Sequence, residues 1–114
     1  MGKKRNLSLD EVLQFKPKRK EFKWVAGDDE TVVITIPKFK SRIGRWFCKA
    51  IGKDLFFTAH LDNIGSEVWK RCDGATTVGE ILNILRERFP NEKELDKRLL
   101  YYLYRMDELG YISI

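Results

Sequence analysis

His60, Asp62 and Ser66 fall within one short stretch and are the residue types that assemble a general base, an orienting carboxylate and a nucleophile. Their surroundings do not support that chemistry. No nucleophile-elbow pattern is present, and Asp62 stands where it can cap the helix that follows. Metal binding fares no better, because His60 is the only histidine and no cysteine or carboxylate spacing around it makes a ligand triad. It reads as a solvent-facing or hydrogen-bonded strand residue. Cys48 and Cys72 form neither a CxxC pair nor a disulfide framework, so both are expected to be reduced, with no structural zinc or iron–sulfur site. Trp69 lies beside Ile64, Val68 and Cys72 and reads as core rather than as a cofactor platform. Gly79 costs its helix about 1 kcal/mol relative to Ala and points to close packing, not to a phosphate loop. The chain is expected to be no enzyme and to hold neither metal nor cofactor.

The 114 residues fit one ordinary domain, and 43% hydrophobic content can fill a core. No apolar run reaches the roughly 18 residues of a membrane span, and Lys3, Lys4 and Arg5 are not followed by an apolar signal segment. A cytoplasmic protein is the expectation. The net charge of +5 is unevenly spread: residues 1–53 carry 14 Lys/Arg against 6 Asp/Glu, and residues 54–114 carry 8 against 11. An anionic partner is therefore expected for the first part only, unless the surplus is simply a basic tail and loop.

Ser8 and Glu11 have the form of a capping box, so residues 1–21 read as a basic tail with a short helix interrupted by Pro17. Phe22 to Val25 and Thr31 to Ile36 read as two hairpin strands around Gly27-Asp28-Asp29. Leu55 to Leu61 alternates and makes a third strand, with Leu55, Phe57, Ala59 and Leu61 turned inward. Three helices follow. Asp62 caps the first, which carries Ile64, Val68, Trp69 and Cys72 and ends at Asp73-Gly74. Thr77 and Glu80 open the second, with Val78, Ile81, Leu82, Leu85 and Phe89 as its stripe and Pro90 as its end. The third runs from about Glu92 to Leu109, burying Leu95, Leu99, Tyr102, Leu103, Met106 and Leu109, with Gly110 as terminator and residues 111–114 extended. The order predicts an α+β domain over 22–114, a small antiparallel three-stranded sheet packed on a three-helix bundle.

Two surfaces are left over from this core. Lys97, Leu100, Tyr101 and Tyr104, flanked by Arg105, project from the far side of the last helix. Phe56, Thr58 and His60 project from the outer face of the third strand. Three apolar or aromatic residues on an outer helix face call for a partner, a peptide with acidic positions or the chain's own N-terminal segment or insert. The connection 37–54 is far longer than a hairpin loop. Within it Phe39, Ile43, Trp46, Phe47, Ala50 and Ile51 recur at helical spacing opposite Lys38, Arg42, Arg45, Lys49 and Lys53. This basic amphipathic helix, inserted between strands two and three, can pack on its own domain, or offer Arg42, Arg45 and Lys49 to an anionic surface or a partner protein.

The block Leu61-Asp62-Asn63-Ile64-Gly65-Ser66-Glu67-Val68-Trp69, then Asp73-Gly74-Ala75-Thr76-Thr77-Val78-Gly79-Glu80-Ile81, and finally Gly110-Tyr111-Ile112, resembles the PqqD-like family over about residues 22–114. The resemblance implies a winged helix-turn-helix domain without enzymatic activity, a peptide chaperone of pyrroloquinoline quinone synthesis or a precursor-peptide recognition element. In that family a leader peptide adds as a strand beside the third strand, rests on the third helix and is delivered to a radical SAM or other modifying enzyme. Such β-augmentation takes affinity from main-chain hydrogen bonds and selectivity from side-chain pockets. Peptide-binding roles would then fall on Phe56, Thr58, His60, Lys97, Leu100, Tyr101, Tyr104 and Arg105. Arg98 departs from the family pattern, in which Asp is common, a change expected to reverse the local charge preference for a ligand.

The rival class is a DNA-binding winged helix, favoured by a pI near 9.3. Against it, the last helix carries five acids to four bases, whereas a recognition helix concentrates bases and amides on its exposed face. No specific nucleic acid is expected. A membrane-surface or assembly role for the basic insert stands third, and unpaired edge strands leave a homodimer open.

Overall fold

The computed structural model describes residues 8–37, 46 and 56–114. In chain order these form α1 (Leu9–Leu13), β1 (Lys18–Arg19), β2 (Lys23–Ala26), β3 (Val32–Pro37), β4 (Phe56–His60), α2 (Asn63–Arg71), α3 (Val78–Arg88), α4 (Leu95–Glu108) and β5 (Ile112–Ser113). The chain is α+β, with a small antiparallel sheet and several helices. It divides into two compact units, Glu21–Ser66 and Met1–Lys20 together with Glu67–Ile114.

The first unit is built on the antiparallel order β2-β3-β4. Central β3 is the most apolar of the three strands and alternates strictly, burying Val32, Ile34 and Ile36. Register sets Trp24, Ile34 and Ala59 on one row, and Ile36 opposite Phe57. The inward assignment of Phe57 and Ala59 therefore follows the pleat, yet Phe57 stays 44% exposed because its strand is the last in the sheet. The hairpin turn is closed by the Gly27 N–H donating to Thr31 and by Asp29, whose carboxylate accepts from the Thr31 N–H at 3.1 Å and hydroxyl at 2.7 Å. Glu30 adopts the left-handed backbone there, with φ of 65°.

In the second unit, α3 and α4 pack through Val78, Ile81, Leu82 and Leu85 on one side and Leu95, Leu99, Leu103 and Met106 on the other, all buried. Fully burying one such aliphatic side chain contributes roughly 1.5–3 kcal/mol before entropy is subtracted. Trp69 and Cys72 are fully buried with them. Burial pushes the Cys72 thiol up to about 12, so it stays protonated near neutral pH. Glu67 is also buried; its carboxylate meets the Arg71 guanidinium at 2.7 Å and that of Arg88 at 3.5 Å, tying α2 to α3.

Between α2 and α3 the chain turns on Asp73, whose side chain accepts from the N–H groups of Ala75 (2.9 Å) and Thr76 (2.8 Å) and from the Thr76 hydroxyl (3.0 Å). Gly74 takes a φ of 80°, and a Cβ there would crowd the Lys18 side chain. Thr77 and Glu80 then make a reciprocal capping box. α4 starts at Leu95, three residues later than expected, because Glu94 is left-handed at φ 56° and breaks the helical path. Leu109, expected inside, caps the helix at 51% exposure, where the chain leaves the buried stripe.

Residues 8–20 are integral to this unit. Ser8 and Glu11 form a capping box for α1, which packs on α3. β1 pairs with β5, and the Arg19 guanidinium donates to the carbonyls of Trp69 (3.2 Å) and Lys70 (2.9 Å) at the end of α2. The unfilled carbonyls at the C-terminal end of α2 are thus met from a remote strand.

Glu67→Gln keeps the shape of the buried side chain but removes the charge shared by two arginines. It should cost about 1–3 kcal/mol, read as a thermal midpoint several degrees lower; an unchanged midpoint would refute that role. A second outcome concerns pH. The hydrogen bonds from Ala75 and Thr76 hold the Asp73 carboxyl below the usual carboxylate range. Its folded pKa lies under the unfolded one of about 3.9, so its contribution is complete above that value and is lost as pH falls through the folded pKa. In urea titrations the stability gap between wild type and Asp73→Asn should narrow from pH 7 to pH 2.5. A constant gap would show that the charge is irrelevant.

Candidate functional site

The residues that could have made a catalytic triad serve structure instead. The Ser66 hydroxyl is buried, 2.7 Å from the Val32 N–H that donates to it and 3.2 Å from the Leu61 carbonyl. Asp62 accepts from the Gly65 N–H at 2.7 Å, as a cap does. His60 is exposed, with its Nε2 3.3 Å from the Thr58 hydroxyl. Each of the three has a different partner. Among the described residues no His, Cys, Asp and Glu cluster into a potential metal site, and no helix is long and apolar enough to cross a membrane.

The candidate binding residues lie on β4 and α4, one in each unit. On β4, Thr58 and His60 are exposed on the face opposite Ala59, while Phe56 pairs with Pro37. β4 ends the described sheet. A terminal strand offers unpaired backbone groups to an added strand.

On α4, Tyr101 and Tyr104 are each 61% exposed, against a helix whose opposite stripe is fully buried. Their rings are held in different ways. Tyr101 meets Tyr102 edge-on, with centroids 6.4 Å apart. The Tyr104 hydroxyl donates to Glu108 at 3.1 Å, and Arg105 reaches the other oxygen of that carboxylate at 2.6 Å. The bond to Glu108 raises the Tyr104 phenol above its ordinary range, since the neutral phenol is the donor. Leu100 belongs to a different environment: half-buried, it lines a cavity of about 200 Å³ together with Leu9 and Leu13 of α1 and with Val78, Leu82 and Leu99.

Two further residues join the site: Arg98, which the sequence singles out for its charge, and Tyr102, which the apolar pattern places in the core. Arg98 and Tyr102 line an open pocket of about 340 Å³ with Lys97 and Tyr101. Tyr102 had been assigned to the core and is only half-buried. The spacing 97, 98, 101, 102 makes two adjacent rows on one helix face, which was the available signal. Lys97 pairs with Glu94 at 3.1 Å and Arg98 with Glu92; hydrogen bonding to Glu92 stabilises the Arg98 cation further.

Of the basic insert, only Trp46 is described: it is helical and 68% exposed. Arg42, Arg45 and Lys49 lie outside the described residues.

The second unit thus presents an exposed aromatic helix face on α4, and the first ends its described sheet at β4. Residues 58–112, 55 of the 114 residues, match the family model described as Coenzyme PQQ synthesis protein D (PqqD), so this segment is similar to that family. The match is narrower than the 22–114 expected: it runs from the second half of β4 to the start of β5 and leaves out α1 and β1 to β3. No curated protein and no solved structure matches the chain. The family is one of accessory proteins in coenzyme PQQ synthesis.

Absorbance titration of the tyrosines gives a direct check on the α4 face. Glu108→Gln should move the Tyr104 ionisation to lower pH, and Tyr104→Phe should remove that elevated step. Identical curves for wild type and both variants would refute the coupling.

Proposed function

We propose that this chain is a non-catalytic, peptide-binding accessory protein that captures a precursor peptide and presents it to a separate modifying enzyme, a radical SAM protein being the leading class. The peptide adds as a strand at β4, beside Phe56, Thr58 and His60; Lys97, Leu100, Tyr101, Tyr104 and Arg105 of α4 are the candidate peptide contacts on the other unit. In this reading the helices and sheet adopt the winged helix-turn-helix arrangement of the family. Arg42, Arg45 and Lys49 supply a second contact, to an anionic surface or to the partner enzyme.

The observation that carries the proposal is the exposed Tyr101–Tyr104 face, lying within the PqqD-like segment on a helix whose other side is packed. Exposed rings of this kind lose little conformational freedom on binding and contribute strongly to interfaces.

Titrating candidate precursor peptides into the ¹⁵N-labelled chain should shift amides along 56–60 and 97–105. The double variant Tyr101→Ala/Tyr104→Ala should bind about tenfold more weakly, with an unchanged circular dichroism spectrum. Silence of both stretches at high peptide concentration would overturn the reading.

A further inference from the structure

The pocket on α4 has a composition that bears on what it selects. Its lining is Lys97, Arg98, Tyr101 and Tyr102, two cations and two phenol rings, with no carboxylate among them. The acids that neutralise the cations, Glu92 and Glu94, precede the helix and lie outside the lining. Both ion pairs are open to water: the side chains of Lys97 and Glu94 are 74% and 66% exposed, and those of Arg98 and Glu92 are 37% and 45% exposed. Exposed pairs of this kind contribute little and exchange readily. A carboxylate brought in by a ligand would therefore displace an internal one at small cost. The planar Arg98 guanidinium is suited to grip it through two parallel hydrogen bonds. Beside the cations, the edge-on Tyr101–Tyr102 pair offers an aromatic surface.

Resting on the peptide-binding reading above, we infer that this pocket selects an acidic residue adjacent to an aromatic one in the bound peptide, with Glu92 and Glu94 acting as internal placeholders for the ligand's carboxylate. Arg98 is the specificity-determining residue, Lys97 adds charge without fixed geometry, and the tyrosines take the ring. Charge complementarity of this kind governs partner choice and encounter rate more than raw affinity.

The test uses the full chain and two synthetic peptides that differ only in a central Asp-Phe-Glu or Lys-Phe-Lys, titrated by calorimetry and by amide shifts. The acidic peptide should bind at least tenfold more tightly than the basic one, and raising the salt from low to high concentration should erode that preference. Arg98→Glu should reverse the order. Glu92→Gln should strengthen the acidic peptide's binding two- to fivefold, an effect a merely structural role for Glu92 would not produce. Equal affinity for the two peptides, with shifts along 97–105, would overturn the charge selection while leaving peptide binding intact. Failure of Glu92→Gln to tighten binding would overturn the placeholder role. If neither peptide, nor the precursor candidates, shifts any amide in 56–60 or 97–105, the peptide-binding reading itself falls and this inference falls with it.

Discussion

Between Phe15 and Lys20 the backbone is shared out among parts of the chain that are distant in sequence. Phe15 accepts from the Val78 N–H and Pro17 from the Gly74 N–H, while Arg19 donates to Cys72 and Lys20 to Tyr111. These bonds fix the turn between α2 and α3 from outside, and β5 is held on the other side of the same segment. Buried or half-buried backbone groups must find partners, and here the turn, the end of α2 and the last strand all find them in one short stretch. The α3–α4 pair, and hence the direction in which Tyr101 and Tyr104 face, depends on that arrangement. A chain with a freely moving N-terminal segment would leave the α2–α3 turn with unmet donors and acceptors.

Seen this way, the motif that marks the family is a structural signature. Asp73, Gly74, Thr77 and Glu80 hold a turn and a helix start through bonds to one another and to nearby backbone, and none reaches into the α4 pocket. The residues that would meet a ligand are of ordinary types, tyrosine, lysine and arginine, on a helix face that carries no motif. The family-like motif and the lining of the α4 pocket are thus made of different residues.

The elements legible in the sequence were those whose signals are local. Asp62, Thr77 with Glu80, and Ser8 with Glu11 each announce a helix start within four residues, and the alternation of β3 announces a buried strand. The β1–β5 pairing was not legible, because two-residue strands have no periodicity and their partners lie far apart in the chain. The start of α4 was misjudged for a related reason: nothing in the type of Glu94 signals a left-handed backbone. At the site, the exposed tyrosines followed from helical projection. Tyr102 did not, since a residue at the margin of an apolar stripe can turn either way until its neighbours are placed. Leu100 sits under α1 for the same kind of reason, being set by a segment some ninety positions earlier.

The pairing of Arg19 with Ile112 has a consequence beyond the two strands themselves. Joining two points about ninety residues apart in an unstructured chain costs roughly 4 kcal/mol of loop-closure entropy. That cost falls sharply once the intervening elements have folded and brought the ends near. The seam between β1 and β5 therefore depends on the elements between its strands to bring them together, and at two residues long it adds few backbone bonds of its own. Its opening would also free the Arg19 guanidinium from the end of α2.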